Sequence, residues 1–208
     1  MGCGTAEMTQ AVAERHPNSD IMAFEVDREQ HERNLLQPKK APNVKFHYAG
    51  AERIPLSEGT VDMVLLFKSL HHVPINMMGQ ALREIHRILK PGGIAHVSEP
   101  VFLGDFNEVL RIFHDEEHVR REAFKNLKSA VKTGMFELVV EEFHLSPVSF
   151  KDFGEFEERV INVSHTDHRL DEETMARVKA KFDEFCGPDG ANFQQPIRLD
   201  VLRKAPVA

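Results

Sequence analysis

An α/β fold with a doubly wound, mostly parallel sheet is predicted here from three features. The first is Met1-Gly2-Cys3-Gly4-Thr5-Ala6, a glycine-rich loop that lets a backbone press against a nucleotide before the chain turns into a helix. The second is the nearly unbroken apolar run Met63-Val64-Leu65-Leu66-Phe67, which reads as a strand buried on both faces. The third is the alternation of strand and helix patterns through the first half, joined by short links, which places helices on both faces of a parallel sheet.

Each element has its own signal. Met8, Ala11 and Val12 fall at helical spacing, and His16-Pro17-Asn18 ends that helix. Residues Ile21 to Val26 read as a short buried strand ending at Asp27, followed by a polar helix from Arg28 to Leu36 that stops at Gln37-Pro38. Val44 to Tyr48 alternates as another strand. Met78, Ala81, Leu82, Ile85 and Leu89 form one helical stripe, closed by Lys90-Pro91-Gly92-Gly93, and Ile94 to Val97 follow as a strand. From Phe102 to Gly134 two helical patterns occur with no strand between them, which predicts a helical cap or insert at about 102–134. Leu138 to Phe150 reads as extended, and Met175, Val178, Phe182 and Phe185 as a further helix. Gly187-Pro188-Asp189-Gly190 then turns the chain into a last strand carrying Ile197, Leu199 and Val201. With no linker, repeat or low-complexity tract, residues 1–208 read as one domain.

Composition narrows the function. An apolar content of 41% over 208 residues supports a sizeable core. No run approaches the roughly 20 apolar residues of a membrane span, and the start lacks a signal pattern. Two cysteines, Cys3 and Cys186, make neither a disulfide framework nor a structural zinc site, so a cytoplasmic chain is expected. The net charge of −7 opposes nucleic-acid binding and favours a small-molecule partner. A homodimer stays open.

Five motifs, in order and suitably spaced, resemble the class I S-adenosylmethionine-dependent methyltransferases, most closely their small-molecule branch, over nearly the whole chain. They are Gly2-Cys3-Gly4-Thr5, Asp27 past a strand end, Ala51-Glu52-Arg53-Ile54-Pro55, Val61-Asp62-Met63-Val64 with Leu70-His71-His72-Val73, and Leu89-Lys90-Pro91-Gly92-Gly93. The resemblance implies a Rossmann-like sheet and S-adenosylmethionine as cofactor. Gly2, Cys3 and Gly4 would meet its methionine end, Asp27 the ribose hydroxyls, Ala51 and Glu52 the adenine, and Phe67 and Lys68 the sulfonium. A nicotinamide dinucleotide is disfavoured because Glu7 stands where its fingerprint needs glycine or alanine.

Three departures from the family stand out. Ala6 replaces the usual third glycine. Gly50 stands where the family carries an aspartate for the adenine amino group, a hydrogen bond worth about 0.5–1.5 kcal/mol. The family's central first strand, in the order 3-2-1-4-5-7-6, is missing ahead of the loop. An upstream segment, another part of the chain, or a partner chain could fill that slot, and the first is the expectation. The Gly50 departure and the short start also leave room for a catalytically inactive interaction module.

Methyl transfer from a sulfonium is an in-line displacement that positioning can drive without a dedicated base. His71, His72 and Glu99 are the base candidates, since they lie at or past strand ends, and their plain alternative is turn capping. Lys68 could orient an acidic substrate or simply lie at the surface. His114 and His118 sit four apart on a predicted helix, but with acidic residues between them they read as a solvated face, and no metal is expected. His165 and His168 carry still less weight. Phe136, Phe143, Phe150, Phe153 and Phe156 line a pocket or form core, and the 102–134 insert could act as a lid. The sequence Phe67-Lys68-Ser69-Leu70 lacks the proline-aromatic motif of DNA amino-methylating enzymes, no Pro-Cys pair is present, and thiols are too few for arsenic. An O-, N- or C-acceptor of modest size remains.

Overall fold

A computed structural model describes residues 1–36, 41–163 and 168–205, so the expected helix stop at Gln37-Pro38 and His165 lie outside the described residues. Two parallel pairs begin the architecture. Strand β1 (Ile21–Glu25) runs beside β2 (Val44–Tyr48), and β3 (Val61–Phe67) beside β4 (Leu89–Pro100). The second pair continues into β7 (Gly190–Lys204) and β5 (Phe136–Phe150), giving the order β3-β4-β7-β5, with the short β6 (Cys186–Gly187) as a hairpin on β7. Among the described strands, β7 alone runs against its neighbours.

The sheet is divided where the expected first strand would lie. No ladder joins β1 to β3. Instead Met1–Cys3 passes between their carboxyl ends: the Met1 ammonium donates to Leu65 O at 2.8 Å, Ser69 Oγ donates to Met1 O at 3.1 Å, and Cys3 N donates to Phe24 O at 2.9 Å. Those bonds join the two sheets at the edge where a parallel sheet receives ligands.

Helices α1 (Glu7–Arg15) and α2 (Arg28–Leu36) flank the β1–β2 pair. Helix α3 (Ile75–Ile88) buries the predicted stripe of Met78, Ala81, Leu82 and Ile85 against Val64, Leu66, Ala95 and Val97. Leu89 is not the last member of that stripe. It opens β4 opposite Val61, and the register slips there as Lys90–Gly93 loops out. Gly93 permits the loop, because a Cβ would sit 2.9 Å from Lys90 O and 3.1 Å from Asp62 O.

The predicted insert does not form one unit. Helix α5 (Glu117–Lys132) packs Ala123, Leu127 and Ala130 into the main core, so it is a covering helix of the sheet. Helix α4 (Asp105–Leu110) joins a second core instead. There Phe106, Phe150, Phe156, Phe182 and Phe193 pack ring against ring, Phe156 and Phe182 at 5.0 Å between centroids. Helices α6 (Phe153–Phe156) and α7 (Glu172–Asp183) complete that core at the far end of the long β5–β7 ladder. Phe150 and Phe156 are therefore core, Phe136 belongs to the main core, and Phe143 is exposed at the edge strand. No helix among the described residues is long and apolar enough to cross a membrane.

Truncating Phe182, which is fully buried, should cost about 3–5 kcal/mol. Chemical denaturation of Phe182→Ala measures this, and an unchanged midpoint would show that the phenylalanine cluster is not a structural core.

Candidate functional site

The glycine loop is bent as its residues require. Gly2 (φ 63°) and Gly4 (φ 50°) lie in the left-handed region, and so does Ala6 (φ 63°), where a side chain costs about 1–2 kcal/mol. The two glycines serve different needs. A Cβ at Gly2 would come 2.8 Å from Ser69 Cβ, whereas a Cβ at Gly4 would meet nothing within 4 Å, so the loop presents bare backbone to open space. Asn34, buried on α2, donates to Gly4 O at 2.7 Å. Burial and the nearby Glu25 carboxylate push the Cys3 thiol up to about 11, which keeps it protonated at neutral pH.

The acid facing this loop is Glu25 rather than Asp27. Its Oε2 accepts from Gly4 N at 2.7 Å, and its Oε1 accepts from Val26 N and Asp27 N at 2.9 and 3.0 Å. Asp27 turns the other way: its Oδ1 accepts from Glu29 N and Gln30 N, at 2.9 and 3.2 Å, and so caps α2. Both carboxylates stand near a strand end, and the two-residue shift between them follows from the strand stopping at Glu25.

Ala51 is buried in the turn after β2. Beside it, the Glu52 carboxylate folds back over Gly50 and fills the space a Cβ at Gly50 would need. A carboxylate is therefore present where the Gly50 departure had removed one, supplied from two residues away. Arg87 fastens the chain that follows, donating to Leu56 O at 2.7 Å and Ile54 O at 2.9 Å, while Glu84 accepts from Ile54 N at 3.0 Å. Hydrogen bonding from Arg87 holds the Glu84 carboxyl below its ordinary value.

Across the loop, residues from five segments converge. Glu99, at the end of β4, accepts at Oε1 from Ser69 N and Leu70 N, at 3.1 and 2.8 Å, and its Oε2 meets His71 Nδ1. The other ring nitrogen of His71 lies 3.7 Å from Glu116 Oε1. Glu116 is also bonded to His114 Nε2 at 2.9 Å and to Arg120 Nη2 at 2.6 Å, and Arg120 Nη1 donates to Asn107 Oδ1 at 3.2 Å. The His72 ring lies 4.1 Å from that of His71. Lys68, in a left-handed conformation (φ 51°), donates to Gln195 Oε1 at 2.6 Å, and desolvation together with the nearby Arg120 lowers its pKa. Phe67 packs on His96 at the end of β3.

The structure thus brings His71, His72 and Glu99 together, and places Gly2, Cys3 and Gly4 against the end of β1. His114 and His118 do not act as a pair: His114 joins the His71 cluster, while His118 lies within electrostatic reach of Glu122. Glu25, Glu116, Arg120, Asn107 and Gln195 were missed. Glu116 looked like one charge in an exposed acidic run, and its burial comes from the start of α5 packing over the Leu70–His72 turn, which local pattern does not record.

The family model described as "Methyltransferase domain" matches residues 1–93. The 27-O-demethylrifamycin SV methyltransferase of Amycolatopsis mediterranei is 29% identical over 164 residues, covering 75% of this chain and 56% of that protein. The demethylmenaquinone methyltransferase of Chlorobaculum parvum is 28% identical over 98 residues, covering 47% and 38%. The crystal structure of the YcgJ protein from Bacillus subtilis superposes with a TM-score of 0.67 at 16% identity over 99% of this chain and 90% of that one, which establishes a shared fold. The likeness to a methyltransferase domain therefore covers residues 1–93, and the chain as a whole shares the fold of that solved structure. The chain spans about half or less of the length of these two curated relatives.

Two substitutions separate the roles described. Asp27→Ala should cost about 0.5–2 kcal/mol through the lost α2 cap, measured by thermal or chemical unfolding. Arg87→Met should leave the core folded while increasing amide exchange at residues 54–56, and unchanged protection there would show that Arg87 does not fasten this segment.

Proposed function

We propose that this protein catalyses methyl transfer from S-adenosylmethionine to a small-molecule acceptor. The observation that carries the reading is the pairing of a bare, left-handed Gly4 with the buried Glu25 carboxylate at the carboxyl edge of β1. Bare backbone suits close approach of the cofactor's methionine end, and the start of α1 suits its carboxylate. Glu25 is placed for the ribose hydroxyls, which an ionised carboxylate accepts. Glu52, lying over Gly50, is placed for the adenine amino group, and Ala51 lies beside it. Phe67 and Lys68 close the floor at the end of β3.

When bound, the cofactor supplies an electrophilic methyl group on a sulfonium. This chain's residues position the acceptor and take up what it loses. The Glu99-held His71, with His72 and Glu116, forms the basic face opposite the loop, within reach of a proton released by an O–H or N–H acceptor. Displacement gains most from holding the acceptor in line with the methyl in a site shielded from water.

The case for an inactive interaction module rested partly on the missing carboxylate at Gly50, and a Glu52 carboxylate lying over that position supports the active reading. Small-molecule acceptors also fit the names of the relatives, a demethylmenaquinone and a demethylrifamycin methyltransferase.

Calorimetric titration with S-adenosylmethionine should show one site per chain, with matching thermal stabilisation. Glu25→Gln should weaken it about tenfold or more, as expected for a hydrogen bond to a charged group, and Glu52→Ala about 2- to 12-fold. Folded protein that releases no binding heat would refute the reading, and undiminished affinity in Glu25→Gln would refute the ribose assignment.

A further inference from the structure

The His71 cluster gathers several electron-pair donors at one place. As a carboxylate, Glu99 can only accept, and it already takes two backbone N–H groups, so the His71 proton that faces it sits on Nδ1. The His71 Nε2 lone pair is then directed toward Glu116 Oε1, 3.7 Å away, with both side chains buried. Two acceptors at that range leave room for a cation between them, either a proton or a metal, beside the bond that the same Glu116 oxygen makes to His114. His72 adds a third donor, and one ligand atom from each of His71, His72 and Glu116 lies within 4.8 Å of the others.

We propose that His71, His72 and Glu116 form a site for a divalent transition-metal ion of the zinc class. Two imidazoles and one carboxylate are a donor set that zinc uses at catalytic sites, leaving a fourth position for an exogenous oxygen. Ligands at about 2.0–2.2 Å in a tetrahedron stand roughly 3.3–3.6 Å apart. His71 and Glu116 are already close to that spacing, and a His72 ligand atom lies within 4.8 Å of both. Glu99 supplies the outer support that such sites carry, a carboxylate on the far nitrogen of a ligating histidine that fixes its tautomer and orientation. His114 is bonded to the same Glu116 oxygen and is available as a further ligand or an outer hydrogen bond. Arg120 binds the other Glu116 oxygen and opposes a cation, while the negative charge of Glu99 offsets it.

The use of the metal rests on the methyl-transfer reading, whereas the site itself does not. An acceptor hydroxyl on the open position would be held beside the glycine loop and made more acidic, so that it gives up its proton to water at neutral pH. In the metal-loaded state His71 Nε2 holds the ion and no longer acts as a proton acceptor.

The test uses tag-free, chelator-treated protein titrated with Zn2+ by calorimetry and with Co2+ by visible absorption. One equivalent should bind per chain, with ligand-field bands of a nitrogen and oxygen site and no thiolate charge-transfer band. His72→Ala, at an exposed position, and Glu116→Gln should each weaken Zn2+ at least tenfold, while His118→Ala, on the same helix but outside the cluster, should bind as the unaltered chain does. Circular dichroism confirms that each variant is folded. Absence of stoichiometric binding, a thiolate band, or full affinity in the folded His72→Ala protein would overturn the proposal. Parallel S-adenosylmethionine titrations separate the two readings: cofactor binding without zinc binding leaves methyl transfer standing and removes the metal site, and zinc binding without cofactor binding does the reverse.

Discussion

The site depends on one buried carboxylate. Glu25 is only 7% exposed, and its two oxygens take three backbone N–H groups, from Gly4, Val26 and Asp27. A charge removed from water must be met by such donors, because leaving it unmet would cost several kcal/mol. Meeting it here fixes three things together: the end of β1, the bend of the glycine loop, and the launch of α2. Because β1 and β3 share no ladder, the loop is also a joint between two sheets, with Cys3 bonded to one side and Met1 to the other. The ligand-facing geometry and the cohesion of the two sheets therefore rest on the same few residues.

Much of this architecture was legible in the sequence. Helix α2 and strands β2 and β3 follow the predicted boundaries closely, since each has a clear period and a clear stop. The separation of β1 from β3 was also foreseen, from a glycine loop with no strand ahead of it. The partition of residues 102–134 was less visible. Two amphipathic helices in succession look alike whichever core they enter, and only the fold decides that α5 packs beside α3 and β5 in the main core while α4 joins the phenylalanine core. That second core exists because β5 and β7 run on for 15 residues each, well past the main sheet.

The candidate site was legible in its glycines and paired histidines and illegible where a side chain borrows its role from a neighbour. Asp27 satisfies the sequence rule for an acid past a strand end, yet it caps a helix because the strand stops two residues sooner. Gly50 reads as a lost carboxylate until Glu52 is seen lying across it. Glu116 reads as solvated until Arg120, Asn107 and His71 are folded around it. In each case tertiary packing, which the local pattern does not record, decided which neighbour the group would meet.

Two carboxylates and two groups of backbone donors thus face one another across the end of β3, one set suited to a nucleoside and the other to whatever the nucleoside's reactive end meets. A crystal structure of the protein with S-adenosylhomocysteine tests this division most directly. The account predicts the ribose diol on Glu25, the adenine amino group on Glu52 and the amino-acid end over Gly4, with the sulfur facing His71. A nucleoside bound elsewhere, or one whose ribose engages Asp27 while Glu25 stays closed on Gly4, would contradict it.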